Sequence, residues 1–334
     1  MTRILIVAPS WVGDMVMAQT LLIRLKALYP DCRIDVLAPA WVLPLVDHMP
    51  QVRRGIASPF GHGQLRLIDR YKFARQFRHQ YDWAIVLPNS LKSALIPWFA
   101  GIPKRTGFVG ELRYGLLNDA RQLDKTRYPL MVERFALLAE PAGGEVRRPV
   151  GLPRLQVAAA ETTAARQALQ LNDSRPAIAF CPGAEYGPAK RWPTEHFAEL
   201  AKMLAASGKQ IWIFGSGKDA ELGEAICGKQ TQHCVNLCGR TKLSQALALM
   251  QTVEHVVTND SGLMHVAAAL GKPLTAIYGS SSPQFTPPLS DQAKIVSLNL
   301  SCSPCFKREC PLGHMDCLNK LTADQVLQAM QRRD

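Results

Sequence analysis

A chain of 334 residues exceeds the usual size of one hydrophobic core, so two domains of about 150 residues each are expected. Hydrophobic residues make up 47% of it, but no run approaches the roughly 18 to 20 uninterrupted apolar residues of a membrane span, which argues for a soluble protein. The formal charge of +12 is uneven: residues 1–150 hold 21 Lys and Arg against 12 Asp and Glu, and the remainder 18 against 15. No helix-turn-helix, RNP or zinc-finger pattern accompanies the surplus, so nucleic acid is not the expected partner.

Met1 to Val7 enters a strand pattern at once, leaving no room for a signal peptide, and the cytoplasm is the expected compartment. In that compartment the nine cysteines are expected as thiols or metal ligands rather than a disulfide frame. Arg3 to Ala8 (strand), Met15 to Leu28 (helix) and Arg33 to Ala38 (strand) form a βαβ unit. The first turn, Ser10-Trp11-Val12-Gly13-Asp14, sets a carboxylate at a strand tip. Asp14 reads either as a helix-capping or first-turn acid or as a general base for a substrate hydroxyl.

Further along, Arg66, Arg70, Lys72, Arg75 and Arg78 surround one acid, Asp69, and alternate with Leu67, Tyr71, Phe73 and Phe77. This basic amphipathic segment is either a solvated helix face or a docking surface for anionic lipid or a phosphorylated partner. Trp83 to Leu87 is a further buried strand, and Pro141 to Pro153 breaks the rhythm as the candidate linker. Domains of residues 1–155 and 156–334 follow.

After an Ala-rich helix from Ala158 to Leu171, the alternation restarts. Strands are expected at Ala177–Phe180, Gln210–Phe214, His255–Val257 and Leu274–Tyr278. Helices are expected at Thr194–Ala206, Leu243–Met250 and Leu263–Leu270. The fold class is therefore α/β, two Rossmann-like doubly wound parallel-sheet domains facing across a cleft. The final helix, Thr322 to Arg332, has no role legible in the sequence.

The strongest signal is the junction Thr258-Asn259-Asp260-Ser261-Gly262-Leu263-Met264-His265. A strand passing directly into a helix aims free N–H groups and a positive dipole end at an anion, and a diphosphate is the expected guest. The bland alternative is that Asp260 or Ser261 merely caps the helix. Lys190 and Arg191, before a helix, offer cations for a leaving phosphate or simply solvated charge. Gly215-Ser216-Gly217-Lys218-Asp219-Ala220 matches a dinucleotide turn, but after the domain's second strand instead of its first, so Asp219 reads more simply as an acceptor for ribose hydroxyls. No Asp-x-Asp pair is present to carry a diphosphate-bound divalent metal, which leaves neutralisation to Lys190 and the helix end. Cys302, Cys305, Cys310 and Cys317, with His314 nearby, have spacing compatible with tetrahedral zinc or an iron–sulfur site, though free thiols on a compact loop are the preferred reading.

Four stretches, Ser10 to Met15, Leu87 to Ser93, Pro182 to Pro193 and Asn259 to His265, together resemble the ADP-heptose:lipopolysaccharide heptosyltransferases of glycosyltransferase family 9, in the right order over nearly the whole chain. The resemblance implies a GT-B enzyme that transfers L-glycero-D-manno-heptose, with inversion, from ADP-heptose to the first heptose of a heptosyl-Kdo-lipid A acceptor. No cofactor is implied, and structural zinc at the cysteines is a minor alternative. It further implies Asp14 as general base and Lys190 as the diphosphate lysine. Ser10, Gly13, Gly183, Ala184, Glu185, Asp219, Asp260, Ser261, Gly262 and His265 would then bind substrate, with Asn89, Lys92, Arg105 and Arg113 as acceptor contacts. The expected location is the cytoplasmic face of the inner membrane, held peripherally to its anionic surface. A type I or III heptosyltransferase, a nicotinamide-dependent oxidoreductase using Gly215-x-Gly217, and a non-catalytic lipid-surface or nucleotide-sensing protein are the competing readings.

Overall fold

The computed structural model describes residues 1–61, 63–171, 174–228 and 232–332, and the chain divides into two compact units, Met1–Leu155 and Gln156–Asp334. In the first, β1 (Arg3–Val7), β2 (Arg33–Pro39), β3 (Arg54–Ser58), β4 (Trp83–Val86), β5 (Lys104–Phe108) and β6 (Asp119–Arg121) form a parallel sheet in the order β3-β2-β1-β4-β5-β6. Its helices are α1 (Val12–Leu28), α2 (Leu43–Asp47), α3 (Leu67–Ala74), α4 (Leu91–Phe99) and α5 (Met131–Leu137). Ile4 to Val7 of β1 pair with Ile34 to Leu37 on one side and Trp83 to Val86 on the other. All but Asp35 of these paired residues are apolar, as a sheet covered on both faces requires.

The second unit contains β7 (Ala177–Cys181), β8 (Gln210–Ile213), β9 (Cys234–Asn236), β10 (His255–Asn259), β11 (Leu274–Ile277) and β12 (Ala293–Val296), all parallel in the order β12-β11-β10-β7-β8-β9. Its helices are α6 (Ala159–Ala168), α7 (Thr194–Ala206), α8 (Ala220–Cys227), α9 (Leu243–Met250), α10 (Gly262–Ala269), α11 (Asp316–Asn319) and α12 (Ala323–Gln331). Counted within its own unit, each sheet has the dinucleotide-fold order 3-2-1-4-5-6. Two doubly wound α/β units are thus present as expected. Each has a switch point between its first and fourth strands, β1 beside β4 and β7 beside β10, and ligands bind such sheets outside the carboxyl ends of those strands.

The structure corrects three expectations. The first helix begins at Val12, three residues early, because Trp11 supplies an extended N-cap backbone. Cys227, at the end of α8, and Cys234, at the start of β9, are joined by a disulfide, with Cα atoms 5.3 Å apart. Arg70 does not lie on a solvated basic face: it is 5% exposed, donates to the carbonyls of Gln64 and Leu65, and stacks on Phe60. The exposed side of α3 instead carries Leu67, Ile68, Tyr71 and Lys72, continuing into Arg75. Among the described residues no helix is long and apolar enough to cross a membrane.

Candidate active site

At the first switch point, the turn after β1 delivers Asp14 into the opening turn of α1. Trp11 occupies the N-cap position and no side chain caps this helix end, so Asp14 is not a capping acid. Its carboxyl is partly buried, and burial alone pushes its pKa up to about 6, although a helix N-terminus normally favours the charged form. Gly13 is buried in the same turn. The Ser10 carbonyl accepts a 3.1 Å hydrogen bond from Trp41 Nε1, and the indoles of Trp11 and Trp41 stay 57% and 55% exposed beside the turn.

Beyond β4, Asn89 and Lys92 flank the start of α4. Arg113, expected at the surface as an acceptor contact, is 1% exposed. Its guanidinium donates to the carbonyls of Phe108 and Pro88 and to Asn89 Oδ1 (3.2 Å). Burial lowers its pKa to about 10, which still leaves it charged at neutral pH. Arg105 likewise donates to the carbonyls of Ile102, Leu116 and Gly115. In this structure Arg113 braces the chain around Asn89, and Arg105 ties Ile102 to the Gly115–Leu116 turn, because carbonyls shielded from water demand donors. Sequence alone did not separate such arginines from solvent-facing ones.

At the second switch point, Lys190 Nζ meets Asp260 Oδ2 at 2.5 Å, with the two side chains 17% and 5% exposed. The junction after β10 is built as the sequence predicts, with Ser261 at the N-cap of α10 and no side-chain capping bond. Ser261 thus holds the N-cap position without its side chain capping the helix, and Gly262 opens the helix. His265 is buried in the same helix, and burial holds its imidazole down near a pKa of about 4, so it is neutral at physiological pH. Asn259, part of the junction motif but without an expected role of its own, locks the site together: its amide donates to the Pro182 carbonyl (2.6 Å) and its Oδ1 accepts the Trp192 backbone N–H (3.1 Å). Asparagine suits this position because it donates and accepts at once.

The Gly215–Asp219 turn follows β8, and Asp219 Oδ2 accepts both the N–H and the hydroxyl of Ser216. A Cβ on Gly183 or Gly215 would come within 2.9 Å of the Asp219 side chain, so both positions require glycine. Ala184 is buried, while Glu185 pairs at the surface with Lys218. Cys302, Cys305, Cys310 and Cys317 form no disulfide. Among the described residues no group of three or more His, Cys, Asp and Glu is placed to hold a metal ion.

Two doubly wound units, one with a carboxyl that makes no ion pair among the described residues and the other with a lysine beside a helix start, fit a two-domain glycosyltransferase. Residues 70–316 match the model of glycosyltransferase family 9 (heptosyltransferase), and the chain belongs to that family. It is 49% identical to lipopolysaccharide heptosyltransferase 2 of Escherichia coli strain K12, over 98% of this chain and 97% of that protein. It is 50% identical to lipooligosaccharide heptosyltransferase 2 of Haemophilus influenzae, over 89% and 88%. The solved structure of E. coli ADP-heptose lps heptosyltransferase II superposes with a TM-score of 0.89 at 47% identity, covering 98% of this chain and 97% of that one.

Proposed function

We propose that this enzyme transfers L-glycero-D-manno-heptose from ADP-heptose, with inversion, to the first heptose of the lipopolysaccharide inner core. The observation that carries the mechanism is Asp14, a half-buried carboxyl that burial holds at a pKa near 6 and that makes no ion pair among the described residues. A general base works best with a pKa close to the working pH. Asp14 takes the proton of the acceptor hydroxyl as that oxygen attacks the anomeric carbon from the face opposite ADP. The C–O bond to the diphosphate breaks through an oxocarbenium-like transition state, and ADP departs carrying the electron pair.

The leaving diphosphate is stabilised by Lys190, the open amides at Ser261 and Gly262, and the α10 dipole. Asp260 holds the Lys190 ammonium in place until the donor arrives. Asp219 and Glu185 serve the ribose side of the donor, His265 packs beneath the diphosphate, and Gly183 and Ala184 let backbone approach it. Asn89 and Lys92 hold the acceptor, with Trp11 and Trp41 as faces for its sugar rings. The names of the relatives at 47% to 50% identity support the donor and acceptor classes.

The acceptor is anchored by lipid A, so the enzyme works peripherally at the cytoplasmic face of the inner membrane. The stripe Leu67, Ile68, Tyr71, Lys72 and Arg75 suits an anionic interface, with Ile68 71% exposed and the basic groups alongside. The double variant Lys72→Glu/Arg75→Glu is expected to lose association with anionic vesicles. Unchanged, salt-insensitive binding by that variant contradicts the membrane reading and leaves the chemistry untouched. The chemistry is tested by ADP release from ADP-heptose with and without a mono-heptosylated acceptor, where acceptor-dependent release is expected.

A further inference from the structure

The cysteine-rich segment and the C-terminal helix have no part in the mechanism so far, yet both grip the loop that carries Lys190. The Ala189 N–H donates to the Arg308 carbonyl at 3.0 Å, and the Tyr186 hydroxyl donates to the Phe306 carbonyl at 2.7 Å. Gly187 lies so close that a Cβ there would sit 2.5 Å from the Arg308 carbonyl oxygen. The Arg308 guanidinium lies 5.5 Å from the centre of the Tyr186 ring, and Lys190 Nζ lies 5.1 Å from the same ring. Two cations thus share one aromatic ring. The acid beside them is Asp260, which pairs with Lys190; among the described residues no carboxylate pairs with Arg308.

The gripping segment is itself tied to the sheet. The Phe306 N–H donates to the Ser280 carbonyl (2.7 Å), and the Ser303 hydroxyl donates to the Gly279 carbonyl, both just past β11. On the far side of Lys190, Trp192 is 1% exposed and its indole N–H donates to the Leu321 carbonyl at 2.8 Å. Leu321 belongs to the hydrophobic cluster that Val326 of α12 joins. Both flanks of the Lys190 loop therefore hang on the chain beyond residue 300.

We propose that residues 300–315 form a strap that positions the diphosphate loop, with Tyr186 and Arg308 as positioning residues for Lys190. The inference rests on Lys190 holding the donor diphosphate. Tyr186 limits where the ammonium can swing, and Arg308 adds positive potential without being neutralised by an acid, so the loop is preorganised for two phosphates more than for one. The strap contributes nothing to adenine or ribose recognition.

The test compares ADP with AMP, which lacks the second phosphate, by calorimetric titration of the full chain. Tyr186→Ala and Arg308→Ala alter exposed side chains, and unchanged melting curves will show that they fold. Each is expected to lower ADP affinity roughly fivefold to twentyfold while AMP affinity stays within about twofold. Tyr186→Phe, which keeps the ring but loses the hydroxyl bond to Phe306, is expected to recover part of the loss. An ADP to AMP affinity ratio equal to wild type, including an equal fall for both nucleotides, overturns the strap. Lys190→Ala separates the two levels of the argument: if it lowers the ratio and the strap variants do not, only the strap fails. If Lys190→Ala leaves the ratio unchanged, the diphosphate assignment fails and the strap with it.

Discussion

Asp14 and Asp35 lie in the same unit, one after β1 and the other on β2, and their surroundings treat them in opposite ways. Burial raises the pKa of both. At Asp35 that effect is overturned by hydrogen bonds from Arg53, Tyr81 and Arg54, and the carboxyl ends below its ordinary value. At Asp14 nothing overturns it, and the value stays near 6. The difference separates a carboxylate used to hold the sheet from one kept available for a proton. Asp35 is 0% exposed at the amino half of its strand, whereas Asp14 stands at the carboxyl end where ligands bind.

The sharpest way to break this contrast is to neutralise each acid. Asp14→Asn is expected to cut heptosyl transfer at least about a thousandfold while leaving the Kd for ADP within about twofold, as for a lost general base. Asp35→Asn is expected to leave the catalytic constants of the folded protein intact but cost roughly 3 kcal/mol in chemical denaturation. That figure is at the low end for a broken buried pair, because Arg53 and Arg54 are half in solvent. Lys190→Ala should weaken ADP by about tenfold to a hundredfold, the usual worth of a charge-assisted contact. Equal ADP affinity in that variant contradicts its assignment.

A smaller effect carries the same logic into stability. With a folded pKa near 6 against about 3.9 unfolded, Asp14 keeps its proton longer in the native state. The protein is therefore least burdened below about pH 4, loses stability as the pH rises to 6, and carries the full cost above that. Asp14→Asn removes the cost. The inactive variant should be more stable than wild type above pH 7, by up to about 3 kcal/mol, and the gain should vanish toward pH 4. Thermal melts across pH 4 to 8 check this, and a destabilised variant at pH 8 contradicts it.

The central strands were legible because β1, β4, β7 and β11 are short, largely apolar runs between helical patterns, and β10 carries Val256-Val257 just before the Asp260 junction. The sheet edges were not. Arg54–Ser58, Asp119–Arg121 and Ala293–Val296 are brief, partly exposed and polar enough to read as loop, since an edge strand needs little apolar surface. Of the site, the Asp260–His265 junction and the position of Asp14 were readable from local order, because both depend on one strand passing into one helix. Arg113 misled because a buried arginine and an exposed one look alike in sequence, and its partners lie up to 25 residues away. The role of Asn259 was hidden for a related reason: its bonds to Pro182 and Trp192 cross 77 and 67 residues. Tyr186 and Arg308 are 122 positions apart in sequence and adjacent in space, a pairing that no periodicity encodes.

The most direct test of the account is the pH dependence of acceptor-dependent ADP release from ADP-heptose, measured as kcat/KM for wild type and Asp14→Asn. Wild type is predicted to lose activity as the pH falls through about 6, and the variant to show only residual turnover with no such limb. Normal turnover by Asp14→Asn, or a wild-type limb that persists in the variant, would remove Asp14 from the role of base.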